Sequence, residues 1–519
     1  MYARFVLLLL PLACATPPPP SATADAGPGG SESPAEPAVP ETPPHIVMFL
    51  VDDLGWQDHS VQRAFAHDPA NAHFRTPNVQ RLVDEGVWYT DAYAAAPVCT
   101  PTRVTWLTGR SPAATHVTWW TLHEDNGPHV PHPQLAPPDW RVNGLSADEE
   151  TLPKLLGEAG YHTIHVGKAH FGANGTSGAD PLQLGFDVNV AGHAAGAPGS
   201  YLGVEEFAKH GPLTEDGAQP TIWDVPDLER WHGEEVYLTE ALAEEAVLAL
   251  RAGHATGKPV FLNFSPYAVH APLTANPRYA GDYADLEARE AAYATMVASY
   301  DAALGVLLDE LDALGIADDT LVIFTSDNGG LSAHSRGGTP HGHNAPLRSG
   351  KGSAYEGGVR VPLAVAWPGR RAVGDSSLPV TTADLNATVL AAAGLVPDGE
   401  GLLLPPAPDV PPDKATPYER RLLARPIVWH VPHQWGAPGP GIEPYSALRI
   451  GHWKLIWFHA DGRRELYDLS RDLGEARDLS GQAPAMRDTL TRRLVSELKA
   501  RDAQLSIDKA TGLPIAWPD

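Results

Sequence analysis

Two short polar pairs close apolar runs that lie far apart in the chain. Asp52-Asp53 follows "HIVMFLV" (His45 to Val51), and Asp327-Asn328 follows "DTLVIFTS" (Asp319 to Ser326). Carboxylate and amide oxygens are hard donors, and a set of this kind selects Ca²⁺ or Mg²⁺ over Zn²⁺, with several carboxylates favouring Ca²⁺. One Asp-Asp pair after a strand is more often a turn or a helix N-cap. A second pair ending another buried run in the same way argues for shared ligation. The chain has two cysteines, Cys14 and Cys99. A lone cysteine is usually a buried, inert thiol, and a Cys14–Cys99 disulfide is not expected, because Cys14 lies in a segment read as removed or modified. Cys99 opens the stretch Cys99-Thr100-Pro101-Thr102-Arg103, which continues to Leu107-Thr108-Gly109-Arg110.

These residues need a scaffold that brings them together. "HIVMFLV" and "DTLVIFTS" are continuous apolar, β-rich runs, the pattern of strands buried on both faces. "YHTIHV" (Tyr161 to Val166) and "PVFLNFS" (Pro259 to Ser265) are two more; the first runs into Gly167-Lys168 and the second is followed by His270. Leu304, Leu307, Leu308, Leu311 and Leu314 recur at helical spacing, so an amphipathic helix is predicted over about 287–314, and another over 236–251. Strands alternating with helices predict an α/β fold, a mostly parallel sheet flanked by helices. All four strands end in polar or charged residues, and that edge of an open parallel sheet is where ligands bind.

After Gly394 the texture changes. A proline-rich connection (Gly399 to Pro417) precedes "YSALRIGHWKLIWFHADGRRELYDL", read as an antiparallel meander with a hairpin turn at Asp461-Gly462, and then a helix over about 483–501. The expected organisation is a catalytic domain over 45–400 and a smaller C-terminal subdomain over 401–519, an antiparallel sheet plus helix. A formal net charge of −26, from 63 acidic and 37 basic side chains, excludes a basic nucleic-acid footprint and attraction to anionic membranes. An anionic substrate would need a locally cationic pocket.

"CTPTR…LTGR" resembles the signature of the formylglycine-dependent sulfatases, members of the alkaline-phosphatase-like superfamily, in which Cys-x-Pro-x-Arg directs oxidation of the cysteine to an aldehyde. Further segments resemble the same family in order: "IVMFLVDDLGW", "GYHTIHVGKAHFG", "SDNGGLS" with "PLRSGKGSAYEGGVRVP", and "RIGHWKLI…ELYDLSRDLGEARDL". The resemblance runs from about His45 to Leu479. It implies a sulfuric ester hydrolase acting on aryl or carbohydrate sulfates, with one divalent cation, Ca²⁺ or Mg²⁺, held by Asp52, Asp53, Asp327, Asn328 and the modified Cys99. It implies that Arg103 helps the metal to ionise one hydroxyl of the hydrated aldehyde, that Lys168 contacts sulfate or aldehyde, that His170 is the base of the second step, and that His270 and Lys351 both contact sulfate, one of them protonating the leaving group. It also implies a formylglycine-generating enzyme as a maturation partner. Val104 departs from the family pattern, where a small residue is usual.

The chemistry of such a group is distinctive. A hydrated aldehyde carries two hydroxyls on one carbon: one attacks sulfur, and deprotonation of the other expels sulfate and restores the carbonyl. A serine or cysteine would be left as a stable ester. Alternatives within reach of the same residues are a formylglycine-dependent phosphonate or phosphodiester hydrolase and, in another class, a non-catalytic lipoprotein that binds sulfated glycans. The latter predicts loss of at least one site residue, and none is missing.

At the N-terminus one positive charge and about eight apolar residues read as a signal peptide over 1–13, too short to span a bilayer. "LLLLPLAC" resembles a bacterial lipobox with Cys14 as the lipidated residue, although Pro11 stands where an aliphatic residue is usual. Ordinary cleavage and secretion is the alternative. Residues 14–44 hold ten prolines and no aromatic after the cysteine, a composition that cannot build a core and reads as a tether. The expected destination is export, to the periplasm or outer membrane or to the medium. His341 and His343 are read as solvated loop residues. The stretches His193 to Gly203 and Trp119 to Gly127 are read as loops that set specificity, with core packing the expected role of Trp119 or Trp120 taken singly.

Overall fold

The run from His45 to Val51 is a strand along its whole length and is covered on both faces. Ile46, Met48 and Leu50 enter one apolar cluster, and Val47, Phe49 and Val51 enter another, the period-two division that a fully covered sheet imposes. The structure is a computed structural model. It describes residues 43–61, 71–127, 130–210, 221–331, 336–405, 414–436 and 438–519. The readings of the signal peptide, of Cys14 and of the tether up to residue 42 lie outside the described residues.

The strands are β1 (His45–Val51), β2 (Gly86–Tyr93), β3 (Leu135–Ala136), β4 (His162–Gly167), β5 (Val188–Val190), β6 (Val260–Ser265), β7 (Thr320–Ser326), β8 (Arg360–Ala366), β9 (Gly374–Ser376), β10 (Val380–Thr381), β11 (Ile427–Val431), β12 (Tyr445–Ile450), β13 (Trp453–Phe458), β14 (Arg464–Asp468), β15 (Ile507–Asp508) and β16 (Leu513–Pro514). One sheet has the order β10-β2-β8-β7-β1-β6-β4-β5, with β9 beside β2. β8 runs antiparallel to β2 and β7, and the other pairings of this sheet are parallel. The sheet is therefore mostly parallel, as the α/β alternation predicts. β7, β1, β6 and β4 are consecutive and parallel, so the four polar strand ends share one edge.

Helices cover both faces. The longest, Ala288–Leu314, begins after Glu287 and ends at Gly315, whose φ of +70° closes it in the left-handed region that glycine adopts freely. Leu304, Leu307, Leu308 and Leu311 form its buried stripe. Upstream, residues 292–297 are buried on all sides; there Tyr293 Oη donates to Asp58 Oδ2 at 2.6 Å and Thr295 Oγ1 accepts from the Asn276 N–H at 2.9 Å. The helix is long and apolar enough to cross a membrane by length and composition, yet its apolar stretch is mostly buried within the fold.

A second sheet has the order β11-β12-β13-β14, antiparallel throughout. The turn at Gly462 (φ +71°) joins β13 to β14, as the Asp-Gly pair predicts. The Pro484–Ala500 helix lays Leu490, Leu494 and Leu498 against Leu448, Leu455, Trp457 and Leu466 of this sheet. β3, β15 and β16 form a small third sheet. β2, β8 and β11 have no counterpart in the sequence reading; "RVPLAVA" falls partly within the lysine-loop motif, and only its burial between β2 and β7 reveals a strand.

Candidate active site

Asp52 and Asp53 leave β1, and Asp327 and Asn328 leave β7, at neighbouring positions of the shared edge. Side-chain contacts lock the two ends. The Asp53 N–H faces Asp327 Oδ1 at 3.3 Å, the Leu54 N–H donates to Ser326 Oγ at 2.9 Å, and Asn328 Nδ2 donates to Asp53 Oδ1 at 2.8 Å. Asp53 holds φ +59°, an uncommon conformation for a non-glycine residue. All four side chains are fully buried.

Cys99 is the first residue of a ten-residue helix, Cys99–Thr108, nine of whose residues are buried. The extended residue Val98 precedes it without a side-chain cap, so first-turn N–H groups and the positive end of the helix lie at Cys99. Pro101 sits in that first turn, where its missing N–H costs no helical bond. One turn on, Arg103 Nε donates to Asp327 Oδ2 at 2.8 Å, and Nη1 donates to the Lys168 carbonyl and to Ser265 Oγ, each at 2.7 Å. Its Nη2 is buried and has no hydrogen-bond partner among the described residues.

Lys168 follows β4 and places Nζ 2.6 Å from Asp52 Oδ2. Lys351, from the loop before β8, places Nζ 2.6 Å from Asp53 Oδ1 and 3.5 Å from Cys99 Sγ. Cys99 Sγ lies 3.7 Å from Asp52 Oδ1. His270, after β6, sets Nε2 3.6 Å from Asp53 Oδ2 while Nδ1 donates to the Ala271 carbonyl. His170 donates from Nε2 to the Thr121 carbonyl at 2.9 Å, leaving a buried, unpartnered Nδ1. Asp52, Asp53, Cys99, Arg103, Lys168, His170, His270, Asp327, Asn328 and Lys351 therefore lie in one cluster.

The cluster is electrostatically heterogeneous. Burial pushes Asp52 up to about 8, with Asp327 adding to the rise. Asp53 is also buried, but Lys351 and His270 outweigh that and hold it below the ordinary carboxylate range. Burial lowers His270 to about 3, with Lys351 acting in the same direction, and holds His170 well down, with Lys168 adding to the effect. Both rings are thus neutral, and hydrogen bonding fixes their tautomers: Nε2 of His270 and Nδ1 of His170 carry lone pairs.

The donors suit a cation. Asp53 Oδ2 and Asn328 Oδ1 are buried and have no hydrogen-bond partner among the described residues, an arrangement that a hard divalent ion would satisfy. Asp52, Asp53, Cys99 and His270 bring ligand atoms within 4.8 Å of one another. This group overlaps the sequence-derived set at Asp52, Asp53 and Cys99 and adds His270. Asp327 stands beside it, already engaged by Arg103.

A family model described as Sulfatase matches residues 44–395, more than half of the chain. The chain belongs to the sulfatase family. Among sulfatases, it is 33% identical to the N-acetylgalactosamine-6-sulfatase of Mus musculus over 367 residues, 70% of this chain and 64% of that protein, so the match spans slightly less than two thirds of that relative. It is 28% identical to a Formosa agariphila protein named sulfatase, covering 91% of this chain and 90% of that one. The crystal structure of Ps i-CgsB is similar with a TM-score of 0.68 at 27% identity, covering 88% and 93%. Its complex with k-i-k-neocarrahexaose gives 0.67 at 26% identity, with the same coverage.

Other residues of this sulfatase act around the cluster without a sequence signal of their own. The stretch His193 to Gly203 braces the two histidines: Tyr201 Oη lies 2.7 Å from the Tyr267 carbonyl and 2.8 Å from the His270 carbonyl. A Cβ on Gly196 would stand 2.4 Å from His170 Cε1. Trp119 is buried, as core packing predicts, whereas Trp120 is partly exposed with its ring 6.4 Å from that of His170. His343 bonds the Gly337 carbonyl and His341 lies against Gly439; both are partly exposed.

Proposed function

We propose that the protein hydrolyses sulfate monoesters of carbohydrates, with Cys99 oxidised to formylglycine and one divalent cation, Ca²⁺ in first place, at the strand ends. The observation that carries this reading is a cysteine at the head of a buried helix, between Lys351 and Asp52, beside buried carboxylate and amide oxygens that lack partners. Membership of the sulfatase family supplies the reaction class, and the relative named N-acetylgalactosamine-6-sulfatase supports the carbohydrate.

Asp52, Asp53, Asn328 and residue 99 would hold the cation, with Asp327 beside them, and the cation would supply Lewis-acid activation. The aldehyde at position 99 would supply a hydrated nucleophile with a built-in exit for sulfate. Arg103 orients Asp327, and its free Nη2 N–H offers a donor to an anion. Lys351 brings positive charge to residue 99 and Lys168 to its neighbour Asp52, where sulfate charge must be met. His170 can take a proton at Nδ1, and His270 stands at the open side of the cluster with 21% of its side chain exposed. The proposal includes the enzyme that oxidises Cys99, export through the N-terminal segment and attachment at Cys14.

The test uses protein matured in its native host. Turnover of one chromogenic phenol as its sulfate and as its phosphate ester gives the reaction class, and a panel of defined sulfated saccharides gives the substrate. Sulfate preferred over phosphate, with at least one saccharide cleaved faster than the aryl ester, is expected. Preference for the phosphate ester overturns the reaction class; cleavage of the aryl sulfate alone overturns the carbohydrate.

A further inference from the structure

Resting on the sulfatase reading, we propose that Trp435 is the platform on which the sugar ring carrying the sulfate stacks. The floor of the site is sealed: Asp52, Asp53, Arg103, Lys168, Asp327 and Asn328 are fully buried. Exposure begins at Lys351, with 7% of its side chain open, and at His270, with 21%. Among the described residues, a sulfate held at residue 99 therefore connects to the rest of its substrate on that side. Trp435 stands there. Lys351 Nζ, which touches Cys99, lies 5.6 Å from the centroid of its ring.

The ring is partly exposed, and its packing fixes the orientation. A Cβ added to Gly352, the neighbour of Lys351, would stand 2.6 Å from the indole atoms Cγ and Cδ1, so the glycine lets the indole lie against the catalytic loop. Trp119 meets it edge-on at 5.4 Å, and Trp119 is itself stacked on His433 at 5.1 Å. Gln434 Nε2 donates to the Trp435 and Ile442 carbonyls at 2.9 and 3.1 Å and holds the loop. A well-packed, partly exposed indole beside a cationic anion site suits a sulfated pyranose, whose apolar C–H face stacks on an aromatic ring while its sulfate meets the lysine.

The experiment compares Trp435→Ala and Trp435→Phe with wild type on the best sulfated saccharide of the panel, measuring KM, kcat and inhibition by inorganic sulfate. For Trp435→Ala, KM is expected to rise about 10-fold, with kcat within about 3-fold and the sulfate inhibition constant unchanged; Trp435→Phe should recover most of the loss. If the alanine variant does not fold, Trp435→Leu keeps apolar bulk on Gly352 without an aromatic face and carries the same expectation. An unchanged KM, or a sulfate inhibition constant that rises together with KM, overturns the inference. A wild-type enzyme that releases sulfate from no ester overturns the sulfatase reading instead.

Discussion

At the scale of single residues the site turns on what Cys99 can and cannot do as a thiol. Burial pushes it up to about 12, although Lys168 and Lys351 pull it down, so an unmodified side chain stays protonated and a poor nucleophile at neutral pH. The surroundings are nevertheless built for negative charge, with a helix start, two lysines and an unpartnered arginine N–H. The proposed oxidation to an aldehyde would reconcile the two, because its hydrate supplies an oxygen nucleophile. Cys99→Ser is expected to keep its unfolding free energy within about 1 kcal/mol of wild type, and to release at most one equivalent of phenol from an aryl sulfate before stopping. A burst assay reads this directly, and sustained turnover by that variant contradicts the role given to residue 99.

Elements decide whether such residues meet. The four strands that deliver the site were legible because continuous apolar runs ending in Asp, Lys or Asn leave little choice of structure. Their convergence was legible because parallel neighbours end on one edge. β2 was not, since "GVWYTDAY" mixes polar residues into the run and the ladder shifts register between Tyr89 and Ala92. Nor was the part played by His193 to Gly203, because a Gly-rich loop shows its contacts only once folded. Gly196→Ala tests that part: its Cβ would press on the His170 ring, so kcat should fall at least about 10-fold while the thermal midpoint stays within a few degrees. Wild-type kcat in this variant would show that the loop does not position His170.

The strands also carry buried neutral histidines. Burial lowers His165 on β4 to about 3 and His430 on β11 to about 4. The unfolded chain takes up these protons near 6.5 and the folded chain does not, so stability is full above pH 6.5 and falls as pH drops toward the folded values. Each should remove about 3 kcal/mol by pH 4 relative to neutral pH. Chemical unfolding at pH 7 and pH 4.5 checks this; equal stabilities would mean that both rings protonate within the fold.

At the scale of the whole molecule, the C-terminal sheet holds the loop that carries Lys351. Lys454 on β13 is fully buried and lies 2.9 Å from both Glu356 and Glu475. Glu475 in turn accepts from the Glu356 N–H at 2.6 Å, while Ser353 Oγ and the Ala354 N–H donate to the carbonyls of Pro440 and Gly441. The loop from Arg348 to Glu356, with Lys351 at its centre, is thus fastened from the C-terminal side. None of these contacts could be read from sequence, where Lys454 and Glu475 fall in the last family-like stretch without a sign of what they touch. Removing one member of a buried charge cluster leaves its partners uncompensated, so Lys454→Ala should cost about 3–5 kcal/mol of stability. Its folded fraction should also lose kcat, because the loop is released. Calorimetry with activity per folded molecule separates the two effects, and full specific activity would leave the C-terminal sheet with no part in positioning Lys351.

The central claim is that residue 99 works as an aldehyde. Peptide mass spectrometry on active protein purified from its native host measures it most directly. The peptide containing Cys99 should carry formylglycine in place of the thiol, in proportion to specific activity across preparations. An intact cysteine in a preparation that still releases sulfate would contradict the account.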